Sequence, residues 1–317
     1  MWLDGRMKDM RGKRVFVGLS GGVDSAVSAA LLRRAGAQVT GVFIKGWYPP
    51  GMPCTWAAER RDAMRIAARL HLPFLTLDAS AEYKKSVIDY LISEYSAGRT
   101  PNPDVMCNRE VKFGAFYRFA KAHGADAIAT GHYRAGEKDQ SYFLWAVPKE
   151  ILDAVLFPVG EMKKEDVRAL AKQFNLPVAE KRDSQGVCFL GSVSVQEFLQ
   201  KELGSDNPAF LYTLGQRVPL PNGPWYVVGK DVEKKEIKVA RTHTPAGQEI
   251  PFTDANWFGE SIRSTEAQYR YRGPRVSGRV LGNIFVSSEP LPEIPAPGQS
   301  IVFYDSGELI GGGIISS

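Results

Sequence analysis

VFVGLSGGVDSAVSAALLRRAG, residues 15–36, contains the strongest structural pattern in this chain of 317 residues. It opens with the apolar run 15–19, which predicts a buried strand of a parallel sheet. From Asp24 to Ala35 apolar residues recur at helical spacing, and Gly36 follows as a helix stop. A glycine-rich loop joins the two elements, so the stretch predicts a strand–loop–helix unit of an α/β protein.

The loop itself predicts a ligand. It lies at the carboxyl edge of the predicted sheet, where ligands of α/β proteins bind. Gly21 and Gly22 let the backbone approach a ligand, its N–H groups favour an anion, and Ser20 and Ser25 add hydroxyls. The loop is neither GxxxxGK[ST] nor GxGxxG, and it contains no lysine for a γ-phosphate. We therefore expect a pyrophosphate group here, with Asp24 acting through Mg²⁺ or by organising the loop.

Strands and helices continue to alternate after this unit. Strands are expected at 39–44, 73–79 and 126–131, and helices at 57–70, from 80 to about 97, and at 110–123. This order implies right-handed crossovers and a parallel sheet that is covered by helices on both faces.

Beyond about residue 200 the helical spacing fades and short β-like runs take over. LYTLGQRVPL (211–220) and WYVVGKDVEKKEIKVAR (225–241) predict strands with a turn around 233–235. GRVLGNIFVSS (278–288) and QSIVFYDSGELIGGGII (299–315) predict antiparallel strands, the second run being a hairpin that turns at Asp305 to Gly307. Small β modules are therefore expected after the α/β domain.

Net charge, apolar runs and cysteine count limit the partners and the cellular compartment that this chain can have. The formal net charge of +5 and the pI near 9.0 permit a polyanionic partner without establishing one. No apolar run approaches the roughly 20 residues of a membrane span, and the N-terminus has no apolar signal region, so we expect a cytoplasmic protein without membrane contact. The cysteines are Cys54, Cys107 and Cys188, and an odd count without CxxC fits a reducing compartment. From the pattern alone these thiols are either buried fillers or chemical groups.

Longer motifs then follow in a fixed order. They are GRTPNPDVMCNREVKF (98–113), ATGHY (129–133), KDQSYFL (138–144), LFPVGEMKKEDVR (156–168), DSQGVCFLG (183–191), YTLGQR (212–217), RYR (270–272) and PGQSIVFYD (297–305). Together with SGGVDS, this series resembles the bacterial and organellar tRNA-specific 2-thiouridylases, the MnmA family of PP-loop ATP pyrophosphatases. The resemblance runs from about residue 14 to the end.

The resemblance implies a fold of three parts. These are a parallel-sheet, adenine-nucleotide α-hydrolase-like (PP-loop) domain at 1–203, a small truncated central β module at 204–250, and a C-terminal antiparallel β-barrel that contacts tRNA at 251–317. It also implies a reaction, in which ATP adenylates the C2 oxygen of the wobble uridine in tRNAs for Lys, Glu and Gln and sulfur then replaces that oxygen. Adenylation makes this oxygen a leaving group, and thiolate-derived sulfur is a strong nucleophile.

The same resemblance implies catalytic roles. Cys188 would carry a persulfide, supplied by a cysteine desulfurase or a sulfur-relay protein. Cys107 would assist sulfur release and end in a disulfide with Cys188, while Asp104 would act as acid or base. In the alternative mechanism Asp104, Cys107 and Cys188 ligate a [4Fe–4S] cluster with one open iron, and both routes need the same residues. Cys54 matches a cysteine of the family that is not catalytic, and we expect it to be structural.

The resemblance also implies two sets of binding residues, one for ATP and one for tRNA. The expected ATP contacts come from the loop, the end of the second strand and one glycine: Gly18, Leu19, Ser20, Gly21, Gly22, Val23, Asp24, Ser25, Ile44 and Gly131. The expected tRNA contacts line the target-base pocket or face the anticodon: Asn102, Pro103, Asp104, His132, Lys138, Asp139, Gln140, Arg270, Tyr271 and Gln299. Without the resemblance, KDQ would be a solvated turn and RYR a surface charge pair. The lysines of EMKKEDVR are interpreted as a solvated helix start.

This chain departs from the family by being short. Between ATGHY and KDQSYFL it keeps only RAGE (134–137), and GQRVPL (215–220) has lost one basic residue. These departures concern how tightly tRNA is held rather than the ATP and sulfur chemistry. Two other hypotheses are a different adenylating enzyme of the same fold and a non-catalytic tRNA-binding paralogue, but the intact loop and paired cysteines count against them. We expect a monomer, because a tRNA-sized surface must stay open.

Overall fold

The computed structural model describes residues 9–50, 56–136, 139–182, 195–204, 207–242, 247–259 and 265–316. The chain forms two compact units, the first from 1–85 and 107–192 and the second from 86–106 and 193–317. None of the helices in the described ranges combines the length and apolar composition that crossing a membrane requires.

A parallel sheet forms the centre of the first unit. Its strands within the described ranges are β1 (Arg14–Gly18), β2 (Gln38–Lys45), β3 (Phe74–Asp78), β4 (Ala127–Ala129) and β5 (Val155–Leu156). They are arranged in the order β3-β2-β1-β4-β5, so that Val15 of β1 aligns with Val39 and Ala127. The predicted parallel sheet is confirmed. The sequence pattern does not predict β5, because two residues are too few to show a periodicity.

Short α-helices accompany the strands. In chain order the described α-helices are α1 (Val23–Arg34), α2 (Trp56–Arg69), α3 (Ser80–Tyr83), α4 (Tyr90–Ser96), α5 (Pro103–Met106), α6 (Phe116–Ala122), α7 (Lys149–Asp153), α8 (Lys164–Gln173), α9 (Val195–Leu203) and α10 (Pro208–Leu211). The backbone is π-helical at Lys84–Asp89 and Cys107–Ala115. The helical stretch predicted at 110–123 thus begins earlier, at Pro103, whose fixed φ suits a first helical turn.

α1 is the helix that carries the loop. It packs against β1, β2 and α8, and most of its side chains are small and buried. Because alanines and serines leave little bulk, the helix fits between the sheet and α8. The chain leaves it at Gly36, where φ is +87°, which confirms the predicted glycine stop.

The second unit contains a closed antiparallel barrel. Its strands in the described part of the chain are β9 (Glu249–Trp257), β10 (Thr265–Gln268), β11 (Val276–Leu281), β12 (Ile284–Ser287), β13 (Ser300–Asp305) and β14 (Glu308–Ile315), in the order β10-β11-β12-β9-β14-β13. Phe252, Phe285 and Phe303 fill its core. The hairpin between β13 and β14 turns where the sequence predicts, and the expected barrel is confirmed.

A small antiparallel sheet accompanies the barrel within the second unit. Its described strands are β6 (Arg217–Val218), β7 (Trp225–Asp231) and β8 (Glu236–Ala240). The strand predicted across 211–220 was wrong for most of its length. Asn207 caps α10 by accepting a bond from Ala209 N at 3.0 Å, so helix continues to Leu211, and Pro219 cannot donate to a strand ladder.

Candidate nucleotide and sulfur-transfer site

The glycine loop lies at the carboxyl edge of the first sheet, between β1 and α1. Gly21 has a φ of +76°, and a Cβ there would lie 2.5 Å from the carbonyl oxygen of Glu59. Both facts require glycine. Ser20 N donates to Ser25 Oγ at 3.3 Å, and Ser25 Oγ donates to Gly22 O at 3.2 Å. The two serines therefore shape the loop.

Asp24 stands in the first turn of α1, and its carboxylate has two kinds of partner. Tyr133 Oη donates to Asp24 Oδ1 at 2.7 Å. Lys164 Nζ lies 2.6 Å from Oδ1 and 2.8 Å from Oδ2. The side chain of Lys164 is 15% exposed and that of Asp24 29%, so this ion pair is largely removed from water. It ties the loop to the start of α8.

A second lysine holds the other side of the loop. Lys181 Nζ donates to Gly21 O at 3.0 Å and to Asp62 Oδ2 at 2.6 Å. Asp62 belongs to α2, so the contact joins the loop, α2 and the segment after α8. Fixed donors and acceptors of this kind keep the backbone of an anion site in place.

Other residues expected to contact ATP lie around this loop. A Cβ on Gly131 would lie 2.7 Å from Ser25 N, so the turn after β4 approaches the loop as only glycine allows. A Cβ on Gly18 would meet Ile44 Cδ1 at 3.9 Å, and Ile44 is half-buried at the end of β2. Ser28, which is not among the expected ATP contacts, donates through Oγ to Asp24 O at 2.9 Å. The expected ATP-binding residues therefore share one edge of the sheet.

His132 lies beside the loop in an apolar setting. Its ring is 5.2 Å from that of Phe113 and 6.4 Å from that of Phe157, centroid to centroid. Nδ1 pairs with Thr130 Oγ1 at 2.9 Å. Burial, with a smaller contribution from the charge of Lys112, lowers the pKa of His132 to about 3. The imidazole is therefore neutral near pH 7 and offers a hydrogen bond rather than a charge.

The KDQ turn is attached to the same strand end. Gln140 Oε1 accepts from Tyr133 N at 3.1 Å, and Gln140 N donates to Tyr133 O at 3.0 Å. Asp139 Oδ1 accepts from Ser141 N at 2.8 Å. Lys138 lies outside the described residues. The described part of KDQ is therefore a bonded turn, connected through Tyr133 to Asp24.

Cys107 is buried at the start of the π-helical segment, with 4% of its surface exposed. The next residue, Asn108, donates through Nδ2 to Phe143 O at 3.0 Å, while its buried Oδ1 has no hydrogen-bond partner among the described residues. π-Helical turns are frequent at functional sites. Cys188 and Cys54 lie outside the described residues, and with them the expected pairing of Cys107 and Cys188.

The second unit holds the remaining expected tRNA contacts. Asn102 Oδ1 accepts from Ser300 N at 2.6 Å, which ties this residue to the start of β13 beside Gln299. Pro103 and Asp104 follow as the half-buried first residues of α5. Asn102, Asp104 and Gln299 thus lie within one compact unit.

Arg270 already has partners within the second unit. Its Nη2 donates to Leu214 O at 2.9 Å, and its Nε lies 3.1 Å from a carboxylate oxygen of Glu293. This guanidinium holds the YTLGQR turn to the barrel. The neighbouring Tyr271 is half-buried, and the guanidinium of Arg272 lies 5.2 Å from the centre of its ring.

Two features of the site are missed by sequence reasoning. The prediction that the lysines of EMKKEDVR form a solvated helix start is wrong for Lys164, although Lys163 is exposed. Lys181 carries no motif at all. Only an indirect signal in the sequence pointed to such lysines. A phosphate-binding loop that contains an aspartate and no lysine needs a cation from elsewhere in the chain.

The family model described as "tRNA methyl transferase HUP domain" matches residues 13–192, and the one described as "Aminomethyltransferase beta-barrel domain" matches residues 247–315. Similar proteins include the tRNA-specific 2-thiouridylases MnmA of Hahella chejuensis, 38% identical over 98% of this chain and 99% of that one, and of Shouchella clausii, 37% identical over 98% of each. The tRNA-specific 2-thiouridylase MnmA 2 of Geobacillus kaustophilus is 38% identical over 95% and 94%.

The alignment with the Hahella chejuensis protein spans 363 positions, more than the 317 residues of this chain, so that relative carries segments absent here. The identity nevertheless extends over nearly the whole length of both proteins. The chain belongs to the MnmA family of tRNA-specific 2-thiouridylases.

Proposed function

We propose that this chain uses ATP to adenylate the C2 oxygen of the wobble uridine in tRNAs for Lys, Glu and Gln, and then replaces that oxygen with sulfur. Pyrophosphate leaves in the first step and AMP in the second. The observation that carries the proposal is the glycine loop with its two lysine contacts, in the same unit as the buried thiol of Cys107. An ATP-dependent sulfurtransferase needs both features.

The loop fits the phosphate end of ATP. Gly21 and Gly131 occupy positions where a Cβ would collide with backbone, so other main chain packs closely against the loop at both points and keeps its shape. The N-terminus of α1 points its amides there, and helix N-termini favour anions. The aliphatic side chain of Ile44 suits an adenine ring. These residues would bind and orient ATP as a substrate.

A preformed magnesium site is not part of the described residues, where no three His, Cys, Asp or Glu side chains are grouped as metal ligands. Both carboxylate oxygens of Asp24 already accept bonds from Lys164. We therefore propose that Mg²⁺ enters with the phosphates of ATP, while Asp24 organises the loop.

The sulfur step would use the cysteines. A persulfide on Cys188 attacks C2 of the adenylated uridine through its outer sulfur, and AMP leaves with the oxygen. The thiolate of Cys107 then attacks the inner sulfur, so that a Cys107–Cys188 disulfide forms and 2-thiouridine departs. An external thiol must reduce the disulfide, and a persulfide donor must reload Cys188. Asp104 would move the proton near the base.

The tRNA would present its wobble base outside the stacked anticodon loop, because a stacked base cannot be modified. Asn102, Pro103 and Asp104 are proposed to line the base pocket. His132 would contact the tRNA as a neutral imidazole, and the KDQ turn would add further contacts to the anticodon region. Phosphate contacts from lysines and arginines would make the affinity depend on salt.

An anaerobic assay tests the proposal and separates the two sulfur routes. The protein, prepared with and without cluster reconstitution, is incubated with ATP, Mg²⁺, a sulfur source and an unmodified tRNA for Lys, and 2-thiouridine is measured by mass spectrometry. Product from the iron-free form that is lost in Cys107→Ser and Cys188→Ser, but kept in Cys54→Ser, supports the persulfide route. Product restricted to the reconstituted form makes Asp104, Cys107 and Cys188 cluster ligands. Absence of product from both forms contradicts the proposed function.

A further inference from the structure

The glycine loop contains an electrostatic conflict. Its amides and the N-terminus of α1 favour an anion, but Asp24 places a negative charge in the first turn of that helix. Like charges a few ångströms apart repel strongly where water is partly excluded. A carboxylate at this place would therefore oppose a pyrophosphate group unless its charge were compensated.

Lys164 supplies the compensation. Its ammonium contacts both oxygens of Asp24, and 15% of its side chain is exposed. The centre of the Tyr133 ring lies 5.8 Å from Nζ. Tyr133 also donates to Asp24, but a neutral hydroxyl leaves the net charge of the carboxylate unchanged. Among these contacts, the charge of Asp24 is balanced by Lys164.

The neighbouring lysine shows that this placement is specific. Lys163 precedes α8 and is exposed, whereas Lys164 begins the helix and turns towards α1. The two side chains are chemically identical and adjacent in the chain, but one of them reaches the loop. Lys163 therefore provides a matched control.

We propose that Lys164 is a positioning residue of the nucleotide site. It neutralises Asp24, so that the carboxylate can organise the loop through Tyr133 without repelling the phosphates of ATP. The inference rests on the proposed function in one respect, namely that this loop holds those phosphates. It assigns Lys164 a role through Asp24 rather than a contact with the reacting atoms.

The test is equilibrium binding by calorimetry. Inorganic pyrophosphate with a chelator present, Mg-ATP, and adenosine are titrated into the wild type, Lys164→Gln, Asp24→Asn, the double variant Lys164→Gln/Asp24→Asn, and Lys163→Gln. Pyrophosphate without metal reports the phosphate site directly, and adenosine reports the base site. Thermal unfolding of each variant shows whether it folds.

Charge compensation predicts a pattern that a merely structural role would not produce. Lys164→Gln should weaken pyrophosphate and ATP binding by about tenfold or more, because it leaves the negative charge of Asp24 uncompensated. The double variant, which removes both charges, should return to within about threefold of the wild type. Asp24→Asn should bind metal-free pyrophosphate at least as tightly as the wild type. Adenosine binding and the Lys163→Gln variant should be unchanged.

Other outcomes overturn the inference. A double variant that binds pyrophosphate as weakly as Lys164→Gln would mean that Lys164 contacts the phosphates directly. Unchanged binding by Lys164→Gln would mean that its charge is irrelevant. If Lys164→Gln does not fold, the double variant and Asp24→Asn still decide the matter, because each has its own predicted affinity. If the wild type binds neither ATP nor pyrophosphate, the proposed function fails first and this inference with it.

Discussion

Lys164 Nζ lies 2.6 Å from Asp24 Oδ1, although 140 residues separate the two in the chain. The contact gives the acid of the glycine loop a cation that the loop motif does not contain. It also joins α8 to α1 at the edge of the sheet where the loop lies. The strand–loop–helix unit and the LFPVGEMKKEDVR segment are thus parts of one site.

Gly21→Ala should weaken ATP binding by a steric clash as well as by the strain of its positive φ. At Gly21 a Cβ would meet the carbonyl of Glu59 at 2.5 Å as well as adopting a φ of +76°. We expect ATP affinity to fall by about tenfold or more, with a stability loss of about 1–3 kcal/mol. Gly12→Ala is the control, because its φ is +75° but a Cβ there would meet no described heavy atom within 4 Å apart from its chain neighbours. Equal effects of both substitutions on ATP binding would refute the steric explanation.

Lys181→Met should loosen the loop without unfolding the protein. The side chain of Lys181 is 35% exposed and that of Asp62 23%, so solvent screens their ion pair. We expect a stability loss below about 1 kcal/mol, but an ATP affinity lower by about threefold to tenfold because Gly21 O loses its donor. Lys172→Met is the matched control, since its ion pair with Glu180 is exposed on both sides and lies off the loop. Calorimetric titration and urea unfolding measure the two effects, and equal ATP affinities in the two variants would contradict the prediction.

His132 should make the protein sensitive to acid. Its pKa is about 3 when folded and about 6.5 when unfolded, so the unfolded state binds more protons as the pH falls through this window. Stability is therefore lost on acidification from about pH 6.5 downwards. Between about pH 7.5 and pH 5, we expect His132→Asn to lose about 1–2 kcal/mol less than the wild type. His71→Asn, an exposed residue in a left-handed backbone conformation that asparagine tolerates, should behave like the wild type in urea unfolding.

The uncharged state of the His132 imidazole also predicts how the reaction rate depends on pH. Since His132 keeps its uncharged form above about pH 3, it should add no inflection to a pH–rate profile between about pH 6 and pH 8. An inflection present in the wild type and absent in His132→Asn would contradict this prediction.

Arg270→Ala should lower stability as well as any affinity for tRNA. The substitution removes the donor to Leu214 O and the ion pair with Glu293, and we expect a loss of about 1–2 kcal/mol. Arg272→Ala removes the same charge but leaves these contacts intact, so it should cost less than about 0.5 kcal/mol. Hydrogen exchange across 212–217 should rise in Arg270→Ala. A purely RNA-contacting arginine would show no such change in the protein alone.

Helices, strands and turns could be predicted where the residues that determine them are neighbours in the sequence. The buried run of β1, the glycine loop and the stop at Gly36 follow from neighbouring residues, and so does the hairpin between β13 and β14. β5 was not predictable, because two residues become a strand through pairing with Ile128 and Ala129 of β4. The helix over 208–211 was missed because its cap, Asn207, lies just before a run that resembles a strand.

Sequence reasoning alone identifies a PP-loop protein with a β-rich second half and a thiouridylase motif series, because glycine loops, apolar periodicity and turn residues act through adjacent backbone. Which charged side chains contact the loop depends on the packing of the folded chain. Lys163 and Lys164 are the same residue type at adjacent positions. The packing of α8 on α1 brings Lys164 to Asp24 and leaves Lys163 in solvent. The same holds for Lys181 and Arg270, whose partners are distant in the chain and are set by how the elements pack.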